Sequence, residues 1–216
     1  MFKKGSLLRE LPALLVVAVL VSLVIKTFLV QFFFIPSGSM ENTLQIQDRV
    51  AVNRIPFLRD INRGDIVVFH DPANWLPPVP ESSGNKVIGT IKEGLVAVGV
   101  LPNPAKQYLV KRVIGVPGDK VECCSKSGAL LVNGKETTEP YIFAGNKPSE
   151  TKFNVTVPEG KVWVMGDHRG ASADSRYHQD DVNNGMVPIK EITGRVVAVI
   201  WPFNHAKLTP GIDGTR

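Results

Sequence analysis

The stretch IPSGSM places two serines, Ser37 and Ser39, in a small-residue turn, and a hydroxyl there can act as a nucleophile only if a base takes its proton. Histidine is the usual base. His70 and His168 each have an aspartate as a sequence neighbour, Asp71 and Asp167, but neighbours along an extended strand point to opposite faces and do not orient one another. A Ser-His-Asp triad therefore needs a partner from elsewhere in the chain and stays open on that condition. Lysine is the other candidate. At its ordinary pKa of about 10.4 it is protonated, so burial must bring it to about 7 or 8 before it can accept a proton. In YLVKRVIGV, Lys111 shares a strand face with Leu109 and Val113, an apolar setting of that kind. Arg112 sits equally well between Val110 and Ile114 on the other face, but a guanidinium does not give up its proton. Two readings of Lys111 stand together: a buried base, or a solvated strand residue.

Other chemistries find less support. His70, His168, His178 and His205 show no metal-ligand spacing, and the pattern offers no metal or cofactor site. The only cysteines, Cys123 and Cys124, are adjacent, which excludes a CxxC motif; a bond between neighbours is possible but strained. The net charge of +5 is concentrated at the start: residues 1–30 carry Lys3, Lys4, Arg9 and Lys26 against Glu10. No basic stripe with interleaved aromatics follows, which argues against nucleic acid as a partner.

The serines lie just after an oily segment. From Leu11 to Ile25 every residue is apolar except Ser22, with Pro12 tolerable in a first helical turn. That run rises roughly 22 Å as a helix, short of a hydrocarbon core of roughly 30 Å. Continuing through Lys26, whose ammonium can snorkel, to about Val30 or Phe34 supplies the difference. No A-x-A-like cleavage site follows, and a core helix is rarely apolar on every face, so a retained signal-anchor is expected over 10–30. Lys3, Lys4 and Arg9 would keep residues 1–9 in the cytoplasm and place 31–216 outside.

The remainder reads as short β-branched runs between turns: RVAVNRI (49–55), DIVVFH (65–70), YLVKRVIGV (108–116), LLVNGK (130–135), KVWVMG (161–166) and GRVVAVIW (194–201). Asn133-Gly134 marks a hairpin, with PGD at 117–119 and PEG at 158–160 as further turns. Within 73–106 a proline-rich loop precedes a helix expected from about Lys86 to Leu101, weakened by three glycines. Trp75, Leu76, Leu95, Val96, Val98 and Leu101 either rest on a membrane surface or, the favoured reading, pack on the domain's own sheet.

Four blocks, IPSGSM (35–40), RGDIVVF (63–69), YLVKRVIGVPGD (108–119) and GDHRGASADSR (166–176), follow one another in the order found in bacterial type I signal peptidases, and IKEITGRVVAVIWPF resembles that family's closing strand. The resemblance implies a mostly β, antiparallel extracytoplasmic catalytic domain behind a single-pass anchor in the bacterial plasma membrane, with a smaller β subdomain inserted at about 120–160. It implies a serine–lysine endopeptidase without cofactors that removes signal peptides from exported preproteins after small residues in an A-x-A-like pattern. The implied partners are signal peptides, the lipid bilayer and, transiently, the secretion translocon. Position by position, it makes Ser39 the nucleophile and Lys111 the general base. Ser37 joins the oxyanion hole, and Ser172 bonds and orients the Lys111 amine. Asp174 and Arg176 form a supporting pair, with Asp167 in the same block, and Phe33, Ile35, Leu109 and Val110 form shallow pocket walls.

The chain also departs from the family's pattern. The frequent GDNRDN is GDHRGA here, with His168, Gly170 and Ala171, and the proline often found before TL is Asn42. The 73–106 stretch is longer than in compact members. Two alternatives remain: an anchored β-domain that binds extended peptides without cutting, and a specialised peptidase maturing one pilin-like or conjugation substrate.

Overall fold

The computed structural model describes residues 7–55, 61–77 and 107–209, with the side chains of 10–21 described within the first helix. That helix, α1, spans Leu7–Phe28. Its described side chains are exposed on every face, Leu11, Leu14, Leu15, Val16, Val17 and Leu20 among them. This described part is roughly 18 Å long at 1.5 Å per residue. Among the described residues no helix is long and apolar enough to cross a membrane.

The helix does not continue toward Phe34 as the hydropathy suggested. It ends at Phe28, and Val30–Phe34 forms strand β1, paired antiparallel with β2 (Arg49–Asn53). A strand wins here because β2 offers a complete ladder to a run of large apolar residues, and Phe33 turns inward against Tyr108. The anchor expected over 10–30 therefore overlaps the first residue of a strand.

Antiparallel sheet accounts for most of the rest. The other strands are β3 (Ile66–His70), β4 (Tyr108–Gly115), β5 (Lys120–Cys123), β6 (Leu130–Val132), β7 (Lys135–Glu136), β8 (Phe153–Thr156), β9 (Lys161–Met165), β10 (Val187–Pro188), β11 (Ile192–Trp201) and β12 (Lys207–Leu208). The larger sheet runs β1-β2-β11-β3-β4-β9-β10, with β12 paired to β11; the smaller runs β7-β6-β5-β8. Asn133 and Gly134 have φ of 53° and 75°, as a two-residue hairpin of the mirror-image turn type requires. Cys123 and Cys124 are disulfide-bonded to each other.

Period-two alternation divides the core. One face of β3 and β4 sends Ile66, Val68 and Val110 into a cluster with Ile35, Met40, Leu44, Val50 and Val52. The opposite face sends Val67, Phe69, Leu109 and Val113 against Trp75, Val162, Val164 and Ile192. Trp163 and Met165 of β9 join the cluster beneath the smaller sheet, with Val121, Leu130 and Phe153. Burying a side chain of this size contributes roughly 1.5–3 kcal/mol, so Trp163 ties the two sheets together as well as filling space. Trp75 and Leu76 pack on the domain's own sheet, the favoured reading for those two. The helix expected at about Lys86 to Leu101 lies outside the described residues.

Candidate active site

Ser39 sits in a single 3-10 turn, Gly38–Met40, directly after β1. The turn is pinned from below by Met40 and Leu44, both buried in the first core cluster. The amides of Thr43 and Leu44 close onto the Met40 carbonyl at 3.1 and 2.8 Å. From the side, the His168 backbone N–H donates to the Ser39 carbonyl at 3.1 Å. A half-buried hydroxyl is thus carried on a turn whose neighbours are in the core. Ser37 Oγ lies 3.5 Å from Ser39 Oγ, at the outer limit of a hydrogen bond.

Lys111 comes from the middle of β4, opposite Val67 and in the row of Leu109 and Val113. It is 4% exposed, and its Nζ lies 2.7 Å from Ser39 Oγ. Burial pushes its pKa down from 10.5 to about 8, while Asp174 and then Asp167 pull it back up and Arg176 opposes them. Desolvation is the largest effect, because an ammonium loses its water shell without gaining a contact carboxylate. Among the described residues, the partners of Ser39 Oγ are this amine and the Ser37 hydroxyl. The histidine alternative finds no such geometry: His168 turns its Nδ1 to Glu41 at 3.0 Å and stacks on Phe143, and His70 lies against Tyr108.

Both aspartates that act on Lys111 are held by arginines. Arg112 grips Asp167 through two hydrogen bonds of 2.8 and 2.6 Å, donates to the Gly64 carbonyl, and lies 4.0 Å above the Tyr141 ring. Thr43 adds its hydroxyl to Asp167, which links the pair to the Ser39 turn. Arg176 pairs with Asp174 at 2.8 Å with both side chains fully buried, and Asp174 also accepts from the Gly166 amide. A third buried pair, Arg169 with Glu139 at 2.6 Å, also lies near Tyr141, with the Arg169 guanidinium 5.9 Å from its ring. Breaking a buried pair by removing one partner costs about 3–5 kcal/mol, so these pairs hold the 166–176 segment firmly.

Ser172 differs from the expectation. Its hydroxyl is buried and makes no hydrogen bond among the described residues; it does not bond the Lys111 amine. It packs instead against Gly166, where a Cβ would collide with both Ser172 Oγ and the Ser39 carbonyl. The absence of a side chain at 166 is what lets the Ser172 and Ser39 segments come together.

Of the four pocket candidates, Phe33, Ile35 and Val110 gather on one face of the sheet and Leu109 on the other. Alternation forces this separation, since Leu109 and Val110 are consecutive in one strand. Ile35 and Leu109 are 2% and 7% exposed, so Phe33 and Val110 hold the surface that a ligand could touch. Arg112, Arg169, Glu139 and Tyr141 were not singled out from the sequence as site residues. An arginine between two apolar strand neighbours was the available signal for Arg112; the EPY turn holding Glu139 and Tyr141 has no periodicity to read.

The chain resembles known proteins along most of its length. Residues 8–201 match the family described as signal peptidase, peptidase S26. A probable signal peptidase I of Mycobacterium leprae is 37% identical over 228 residues, covering 93% of this chain and 78% of the relative. Signal peptidase I of Mycobacterium tuberculosis is 37% identical over 220 residues, covering 92% and 74%. Signal peptidase I S of Bacillus subtilis is 32% identical, covering 96% of each chain. A crystal structure of a signal peptidase I from Enterococcus faecalis is 25% identical over 63% of this chain and 97% of that one, with a TM-score of 0.39. On the extent of the sequence match, the chain belongs to the signal peptidase family, peptidase S26, and is a serine peptidase.

Proposed function

We propose that this peptidase removes signal peptides from exported preproteins, with Ser39 as nucleophile and Lys111 as general base. The observation that carries the reading is a lysine amine, buried and weakly basic, 2.7 Å from a half-buried serine hydroxyl. In its neutral form the Lys111 amine takes the Ser39 proton as Oγ attacks the scissile carbonyl, and the resulting ammonium passes a proton to the leaving amine. Ser172 Oγ, buried without a partner among the described residues, is available to accept from that ammonium as it turns. Ser37 Oγ and the Ser39 backbone N–H form the proposed oxyanion hole, where each donor contributes typically about 3–4 kcal/mol. Phe33 and Val110 form part of a shallow apolar wall that admits small side chains and rejects large ones by clash, consistent with A-x-A-like cleavage.

The anchor and the bilayer belong to the same proposal. Apolar side chains surround the described part of α1. Phe32 and Phe34 are also exposed on one face of β1, in ladder rows that continue through Ala51 and Ala198 to Leu208, and through Arg49 to Trp201. A helix apolar on every side, leading into such a face, suits a chain held at a lipid surface with its N-terminus in the cytoplasm. After an alkaline carbonate wash the full chain should stay in the membrane pellet. Its release into the supernatant would sink the anchor.

Two activity measurements test the chemistry. Ser39→Ala and Lys111→Ala should each lower preprotein cleavage by about a thousandfold or more with the β signature of the circular dichroism spectrum retained. Full activity in either variant ends the dyad reading. The free-enzyme kcat/KM should fall as pH drops through about 8, because protonating Lys111 removes the base. Arg176→Gln removes the cation that opposes Asp174, and in the folded fraction it should move that limb to higher pH. An unmoved limb would mean that the pair does not tune the amine.

A further inference from the structure

Asn42, His168 and Gly170 all meet the same short segment, residues 141–146. Asn42 Nδ2 donates to the carbonyls of Tyr141 and Ile142 at 3.1 and 3.3 Å. The His168 ring stacks on Phe143, with centroids 4.1 Å apart and planes within 13°. The Gly170 amide donates to Asn146 Oδ1 at 2.8 Å. The segment is itself fixed: the Phe143 amide donates to the Asp167 carbonyl at 3.0 Å, and Tyr141 lies under Arg112.

On their other side the Asn42 and His168 contacts lead to the Ser39 turn. Asn42 is three residues beyond Ser39, His168 N–H holds its carbonyl, and the His168 ring reaches Glu41 at 3.0 Å. The backbone of Asn42 explains why such support is needed. Its φ is +85°, in the left-handed region that asparagine tolerates and a proline ring, locked near −65°, cannot enter. The stiffness of this turn comes from the bonds the Asn42 amide makes to a neighbouring segment.

We propose that residues 141–146 act as a strap that positions the Ser39 turn, with Asn42 and His168 as the positioning residues through which it acts. The proposal rests on the Ser39–Lys111 reading. The strap touches neither substrate nor reacting atoms. It keeps Oγ aligned with the amine, and a displacement of about 1 Å in such an alignment can cost about a hundredfold in rate.

The test uses the full chain in detergent with a fluorogenic A-x-A peptide, at a pH above the Lys111 limb. Asn42→Asp keeps the shape and the left-handed tolerance but cannot donate to two carbonyls; Phe143→Ala removes the face on which His168 stacks. Each should lower kcat by about tenfold with KM within about twofold, since only alignment is lost. The double variant should be no worse than the more severe single, because both cut the same connection. Asn42→Gly, which suits the backbone without a side chain, gives the same test should Asn42→Asp unfold. An unchanged kcat, a raised KM with kcat intact, or effects that multiply would each overturn the strap. Ser39→Ala run in parallel separates the two levels: activity there removes the dyad reading, whereas an inactive Ser39→Ala beside unaffected strap variants removes the strap alone.

Discussion

A lysine amine must lose its proton near pH 8, well below its ordinary 10.5, within the influence of two buried aspartates, and the surrounding architecture answers that constraint. Burial alone pushes Lys111 toward the neutral form, yet Asp167 and Asp174 pull toward the ammonium. A carboxylate free to approach the amine would form an ion pair with it and end its usefulness as a base. Each aspartate is instead saturated by an arginine, Arg112 or Arg176, and by further donors from Thr43 and the Gly166 amide. The carboxylates can then brace the backbone around Ser39 and Ser172 while their charge is largely answered elsewhere.

The same pairs explain why the proposed catalytic residues come from distant blocks of sequence. Lys111 and Arg112 are neighbours on β4 and point to opposite faces, so one strand supplies both the proposed base and the cation that holds Asp167. Asp167 in turn accepts from Thr43, four residues past Ser39, which ties the Ser39 turn to the segment carrying Ser172. The 141–146 strap crosses the same junction, contacting Arg112, Asp167, His168 and Asn42. Without such ties, a short turn of this kind would be free to wander. With them, its hydroxyl is presented at one edge of the sheet.

What could be read from the sequence, and what could not, follows from the range of the forces involved. Alternation in YLVKRVIGV placed Lys111 among Leu109 and Val113, and the structure has it there, because the side-chain period of a strand is a local property. The Asn133-Gly134 hairpin was equally local. Hydropathy did not show where α1 stops, since Val30–Phe34 is as oily as the helix and becomes a strand only because β2 pairs with it. Leu109 joined the pocket candidates through the resemblance, although its neighbour Val110 had to face the other way. Glu139, Tyr141 and the unbonded state of Ser172 depend on contacts between distant segments, and no pattern in either segment alone records them.

Titration of the Lys111 side chain by carbon-13 NMR of its ε-carbon, in the folded full chain, tests the account most directly. A lysine buried beside Ser39 with its neighbouring carboxylates held by arginine should titrate at about 8. A midpoint near the ordinary 10.5 would mean that the amine is charged throughout the working range, and Lys111 could not then be the base.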